Sequence, residues 1–250
     1  VSAHLELTDV GVSFNGFKAV DGLSLSVSKG ELRCLIGPNG AGKTTALDLI
    51  CGKTAPTRGA IVYRGRDITA LEDFRIARAG IGRKFQVPSV FKQLTVRENL
   101  EVAYCKRTSV ISNLLQWRRS EDSDGLANLA EFVGLAGHLD EPAEYLSHGQ
   151  TQWLEIALLL AQDAELILLD EPTAGMTAQE TYKTAEICRR LKGQHTIIVV
   201  EHDMGFVKDI GDVISVMHQG RLLAEGTVAE IEADPKVRQV YLGSAGISGA

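Results

Sequence analysis

The stretch Leu32-Arg33-Cys34-Leu35-Ile36-Gly37-Pro38-Asn39-Gly40-Ala41-Gly42-Lys43-Thr44-Thr45 decides how this chain folds. Leu32 to Ile36 is a short apolar run suited to a buried strand, and Thr44 to Ile50 carries a helical pattern. Between them, Gly37 to Thr44 matches GxxxxGK followed by Ser or Thr, in the strand-then-helix setting that gives the pattern meaning. Glycines let such a loop turn its backbone N–H groups inward around phosphate oxygens, and the helix dipole adds positive potential. Lys43 then reaches the terminal phosphates, and the Thr44 hydroxyl is placed to ligate Mg2+. The plain alternative is a chance Gly-rich turn.

Working outward, Leu5 and Leu7, Leu23, Leu25 and Val27, and later Ile61 and Tyr63 alternate with polar residues at the period of strands. From about Val87 to Leu160 the pattern becomes mostly helical, with Thr95 and Glu98 spaced as a capping box that starts a helix. Thr108 to Gly125 is polar and less regular. Strand and helix patterns then alternate: Leu166 to Leu169, a helix capped by Thr177 and Glu180, Thr196 to Val200, and Asp212 to Met217. This alternation predicts an α/β fold, a mostly parallel sheet flanked by helices, with the helical middle as an insertion.

Leu166-Ile167-Leu168-Leu169 ends in Asp170-Glu171, two carboxylates at the carboxyl end of a strand. Open α/β sheets bind ligands at that edge. Beside a phosphate loop, Asp170 is placed to hold Mg2+, and Glu171 to act as general base on water. Alone, such a pair reads as a solvated loop or a helix cap.

The 250 residues are 44% hydrophobic and 23% charged, with a formal net charge of -6. That suits one large domain and gives no basic field to attract nucleic acid. Cys34, Cys51, Cys105 and Cys188 form no metal-ligand spacing and read as small core residues. No run approaches the ~18 apolar residues of a membrane span, and Val1 to Asp9 lacks the layout of a signal peptide. Work at a membrane therefore implies docking onto another protein's helices.

Further residues give the phosphate loop and the acidic strand a family. Leu146-Ser147-His148-Gly149-Gln150 resembles the LSGGQ signature of ABC transporter ATP-binding subunits, and it precedes Asp170 by the usual interval. Gln86 resembles the Q-loop glutamine, His202 the switch histidine, Ala174-Gly175-Met176-Thr177 the D-loop, and Phe14 the aromatic ring under adenine. Each has a duller alternative. Phe14 suits a core, Ser147 with Gln150 is also a plain helix cap, and a lone His or Gln is usually structural or surface. Separate coincidences do not explain all of them in family order. His148 stands where the family has Gly, and Thr177 where many relatives have Asp.

The resemblance implies a P-loop NTPase (RecA-like) fold, a mostly parallel sheet with an N-terminal antiparallel β part and an inserted helical subdomain. It implies one ABC ATPase domain over residues 1–250, with its core in about 1–86 and 155–250 and the helical subdomain in about 87–154. ATP and Mg2+ are the implied cofactors. ATP binding falls to Phe14 and to Gly37, Pro38, Asn39, Gly40, Ala41, Gly42, Lys43, Thr44 and Thr45. Catalysis falls to Glu171, His202 and Gln86, and the metal to Thr44, Gln86 and Asp170. Leu146, Ser147, His148, Gly149 and Gln150 contact the nucleotide held by a facing subunit.

The implied partners are a second ATPase subunit, in a heterodimer, and two transmembrane permeases, with an extracytoplasmic substrate-binding protein acting indirectly. The implied location is peripheral, on the cytoplasmic face of the inner membrane. Gly80 to Gln86, Leu94 to Leu100 and Glu171 to Met176 resemble the branched-chain amino acid and amide subgroup of importers. Leu146 to Gln150 followed by Gln152-Trp153-Leu154-Glu155-Ile156 is most similar to its urea-transporting members, so urea is the expected cargo and branched-chain amino acids the alternative. Val87, Pro88 and Phe91 fall where the family meets its permeases; Ile111, Leu114, Leu115 and Trp117 extend that contact or pack locally. A soluble ABC ATPase acting on nucleic acid, a non-catalytic regulator and a P-loop kinase are the rival classes. Each leaves part of this residue set unexplained.

Overall fold

The computed structural model describes residues 3–84, 90–104 and 123–245. Strands β1 (Leu5–Phe14) and β2 (Phe17–Val27) form a hairpin, Phe14 facing Phe17 across its closed end. Strand β3 (Leu32–Ile36) leads through the glycine loop into helix α1 (Lys43–Ile50). Strands β4 (Arg58–Tyr63) and β5 (Arg66–Asp67) follow, then helix α2 (Asp73–Arg78) and strand β6 (Ile81–Lys84). Helices α3 (Val96–Tyr104), α4 (Ser123–Val133) and α5 (His148–Ala161) make up most of the described middle. Strand β7 (Leu166–Asp170), helix α6 (Ala178–Leu191), strand β8 (Thr196–Val200), helix α7 (Met204–Ile210) and strands β9 (Val213–His218) and β10 (Arg221–Gly226) continue the chain. Two helices, Val228–Ala233 and Pro235–Ala245, come last.

The strands form two sheets. The four-stranded sheet has the order β2-β1-β4-β5 and is antiparallel, as expected of the amino-terminal part. The six-stranded sheet has the order β10-β9-β3-β8-β7-β6, with β9, β3, β8, β7 and β6 parallel and β10 antiparallel at the edge. Residues of β7 alternate between two cores. Ile167 and Leu169 pack towards the helices, while Leu166 and Leu168 pack towards α1 and the four-stranded sheet. β8 does the same with Ile197 and Val199 against Ile198 and Val200. A strand covered on both faces has no polar side to show, which is why these two read as unbroken apolar runs.

The Thr95–Glu98 capping box forms as expected: the Glu98 N–H donates to Thr95 Oγ1 and the Thr95 N–H to the Glu98 carboxylate. Helix α5 begins at the signature loop and continues without a break past 154–155, where the sequence divided helical subdomain from core. Gln86, with Phe85, Val87 and Pro88, lies outside the described residues, as do Cys105, Ile111, Leu114, Leu115 and Trp117.

Candidate nucleotide site

Parallel pairing brings the chemistry to one edge. Leu35 pairs with Val200 and Asp170 also pairs with Val200, so β3, β8 and β7 end side by side. The glycine loop, Glu201-His202 and Asp170-Glu171 therefore leave the sheet together, at the edge where such sheets bind ligands.

Main-chain crowding dictates the loop. Gly37 has φ 150°, and a Cβ there would lie 2.2 Å from the Met217 carbonyl oxygen. Gly42 has φ 98°, and its Cβ would lie 2.4 Å from the Ala19 carbonyl oxygen. Lys43 is buried, and its Nζ donates to the carbonyls of Gly37 at 2.7 Å and Pro38 at 3.1 Å. Burial pushes its pKa below the ordinary lysine value, while the carboxylates of Glu171 and Asp170 pull it back up. The N-terminus of α1 has no side-chain cap, so its first N–H groups stay available to an anion. The helices α5 and α6, by contrast, both start with complete capping boxes.

Thr44 and Asp170 come together, the threonine hydroxyl donating to Oδ1 at 3.4 Å. The other oxygen of Asp170 accepts from Arg83 Nη2 at 3.1 Å. Arg83 also pairs with Asp48 and donates to Cys51 Sγ at 3.4 Å. A hydroxyl beside a buried carboxylate is a hard-oxygen donor set of the kind Mg2+ takes, with phosphate and water completing its shell. Among the described residues no cluster of three or more His, Cys, Asp or Glu could hold a metal by itself. The set therefore fits an ion delivered with a triphosphate.

Glu171 has φ 48°, a left-handed conformation that is uncommon outside glycine. Its N–H donates to the Val200 carbonyl at 2.9 Å, and its carboxylate lies 4.0 Å from His202 Nδ1. The strained turn aims a half-exposed acid out of the sheet edge beside an exposed imidazole.

Beneath them lies a residue that sequence reasoning missed. Glu201 is fully buried, and one oxygen accepts from the N–H and hydroxyl of Thr173. Its other oxygen accepts from the N–H of His202 at 3.0 Å and of Asp203 at 3.4 Å. This carboxylate ties the segment after Glu171 to the segment carrying His202. Its only sequence signal is an acid ending the apolar run Ile197 to Val200.

Phe14 is 48% exposed, so the core alternative for its ring does not hold. It closes the hairpin whose second strand carries Ala19 against Gly42. The signature loop stands apart. Among the described residues, the side-chain hydrogen bonds of Ser147, His148 and Gln150 run to one another's neighbourhood, namely His138, Ala174 and Glu180, and none runs to the phosphate loop. Leu146 is buried in the helical core with Trp153, and His148 Nε2 lies 2.9 Å from the Ala174 carbonyl.

A glycine loop feeding an uncapped helix beside Asp170 and Glu171 suits a bound triphosphate, which makes the class that of P-loop nucleoside triphosphatases. The sequence model described as ABC transporter matches residues 20–174, and the one described as branched-chain amino acid ATP-binding cassette transporter matches residues 221–247. The chain is 40% identical to the high-affinity branched-chain amino acid transport ATP-binding protein LivG of Salmonella typhimurium, over 96% of this chain and 98% of that protein. It is 37% identical to BraF of Pseudomonas aeruginosa, described in the same words, with the same coverage. Among solved structures, an ATP-binding cassette of an ABC transporter in its ADP conformation superposes with a TM-score of 0.85 at 32% identity, covering 97% of this chain and all of that one. A nucleotide-free cassette superposes with a TM-score of 0.82 at 30% identity, covering 96% and 98%.

The chain belongs to the ABC transporter family, as an ATP-binding, Mg2+-dependent ATP-hydrolysing subunit of the branched-chain amino acid importer type.

Proposed function

We propose that this chain powers uptake of branched-chain amino acids, with Glu171 as the base of hydrolysis. The carrying observation for the chemistry is the Glu171–His202 pair, held at neighbouring strand ends beside Lys43 and Asp170. Lys43 leaves the carbonyls of Gly37 and Pro38 for the terminal phosphates, and the free N–H groups of α1 take phosphate oxygens. Glu171 accepts the proton of the attacking water, and His202 orients that water and the phosphate. Thr44 and Asp170 would hold Mg2+, which would neutralise charge on the phosphates. Phe14 would stack under adenine, and Gln86, outside the described residues, would be a further ligand of the metal.

Among the described residues no side-chain hydrogen bond joins the signature loop to its own phosphate loop, and Ser147 to Gln150 serve a nucleotide held by a facing subunit. ATP then closes a pair of cassettes and hydrolysis opens it. The pairing is heteromeric, with two permeases and an extracytoplasmic binding protein completing a transporter in which this subunit sits peripherally at the cytoplasmic face. Among the described residues no helix is long and apolar enough to cross a membrane, which accords with docking. Exposed Phe91 and Val102 border a cleft of about 480 Å3 with Lys84, Asn99 and Glu155, a surface suited to a permease helix.

On cargo, the names of the relatives favour the branched-chain alternative over urea. The resemblance to urea-transporting members lies in Leu146 to Gln150 and Gln152 to Ile156, none of which meets cargo in this arrangement. The test is the transporter co-purified with its permeases and reconstituted in liposomes, supplied with binding protein loaded with leucine or with urea. Leucine is expected to raise ATP hydrolysis and accumulate inside. Stimulation by urea alone would reverse the cargo assignment, and no ATP hydrolysis under either condition would remove the catalytic one.

A further inference from the structure

The signature loop carries its own acid. Ser147 Oγ donates to Glu180 Oε1 at 2.9 Å while accepting the N–H of Gln150 at 3.1 Å. A Cβ on Gly149 would fall 2.5 Å from Glu180 Cδ and Oε1, so the carboxylate itself demands glycine there. Glu180 Oε2 is fixed independently by the N–H and hydroxyl of Thr177, both at 2.9 Å, in the capping box of α6. Its pKa lies below the ordinary glutamate value, chiefly through the Thr177 N–H and then the Ser147 hydroxyl, so it is an anion at neutral pH.

A serine hydroxyl has one proton to give. The γ-phosphate arriving from a facing subunit needs that proton, and here a carboxylate already holds it. We propose that Glu180 is a positioning residue of the ATPase reaction: it holds the Ser147 proton and ties the signature loop to the segment after Glu171 until the facing γ-phosphate takes the serine over. The proposal rests on the shared-site reading above. His148 adds a second tie between the same segments. The Ala174 carbonyl can only accept, so His148 Nε2 carries the hydrogen of that 2.9 Å contact. The residue that departs from the signature pattern thus anchors the loop to the D-loop of its own subunit, and signature and D-loop move as one body.

The test mixes the full chain carrying Glu171→Gln with the partner ATPase subunit that co-purifies with it, carrying the equivalent replacement so that bound ATP persists, and follows dimer formation by light scattering as ATP is titrated. Glu180→Gln keeps a residue that forms the same capping box but removes the charge. Losing a charge-assisted competitor is expected to lower the ATP concentration for half-maximal dimerisation by about tenfold. In Ser147→Ala the same Glu180→Gln change is expected to give no gain, since the proton it competes for is absent. An unchanged or higher half-saturating concentration for Glu180→Gln, or a tenfold gain that persists in Ser147→Ala, would overturn the role. A Glu171→Gln parent that never dimerises with ATP would instead remove the shared-site reading, and Glu180's role with it. A purely structural role would shift the melting temperature and leave both titrations coincident.

Discussion

Replacing Glu201 by Gln should cost this protein far more than an isosteric change usually does. The carboxylate is fully buried and accepts from four donors, the N–H and hydroxyl of Thr173 and the N–H groups of His202 and Asp203. An amide has one oxygen for two of them. Turned towards Thr173, its NH2 group leaves the Thr173 N–H unmatched even if the hydroxyl rotates to accept. Turned the other way, it faces two N–H groups. An unmatched buried donor costs about 1–3 kcal/mol, and the surviving bonds lose their charge assistance. The buried Lys84 also loses one of the carboxylates that favour its charged form. Removing the desolvation cost of the acid offsets part of this, leaving a net loss of about 2–4 kcal/mol. For a chain of this size that lowers Tm by roughly 4–16 °C, at about 2–4 °C per kcal/mol. Urea unfolding followed by tryptophan fluorescence measures it, and ATP hydrolysis below the melting range should fall as His202 loses its anchor. A variant within about 0.5 kcal/mol of the parent, turning over normally, would refute the bracing role.

Glu171→Gln should retain ATP binding and slow hydrolysis by ~10^2–10^4, the range for losing a general base; unchanged turnover in a phosphate-release assay assigns that role elsewhere. Lys43→Ala should abolish the ATP-dependent rise in melting temperature, which in the parent reflects about 2.7 kcal/mol at ATP a hundredfold above Kd. The same rise in the variant would take Lys43 out of the phosphate site. Arg83→Met strands the buried carboxylate of Asp170 and should destabilise the nucleotide-free protein by about 3–5 kcal/mol in denaturant titration. A loss below about 1 kcal/mol would mean that other groups neutralise Asp170.

What the sequence disclosed is what physics keeps local. The phosphate loop, the acidic strand end and the three capping boxes at Thr95, Ser147 and Thr177 are contiguous patterns, and all appear where their spacing puts them. Edge strand β10 escaped because its residues are mostly half-exposed and show no alternation, and β5 is only two residues long. The braces of the site escaped for another reason. Arg83 meets Asp170 across 87 positions, Thr173 meets Glu201 across 28, and Ser147 meets Glu180 across 33. Glu180 was visible as a helix cap, but nothing local says that its second oxygen faces another loop. His148 looked like an intrusion on a glycine position until the Ala174 carbonyl supplied its partner.

One rod joins the two ends of this subunit. The 14 residues of α5 extend about 21 Å at 1.5 Å per residue. At its start stands Ser147, and towards its far end Glu155, Leu158 and Leu159 wall the cleft bordered by Phe91. A stiff helix does not stretch, so a wedge pressed into that cleft tilts the serine at the opposite tip. In the arrangement proposed above, a membrane partner docked there would thereby sense whether the nucleotide across the dimer is whole or cut, without either party touching the other.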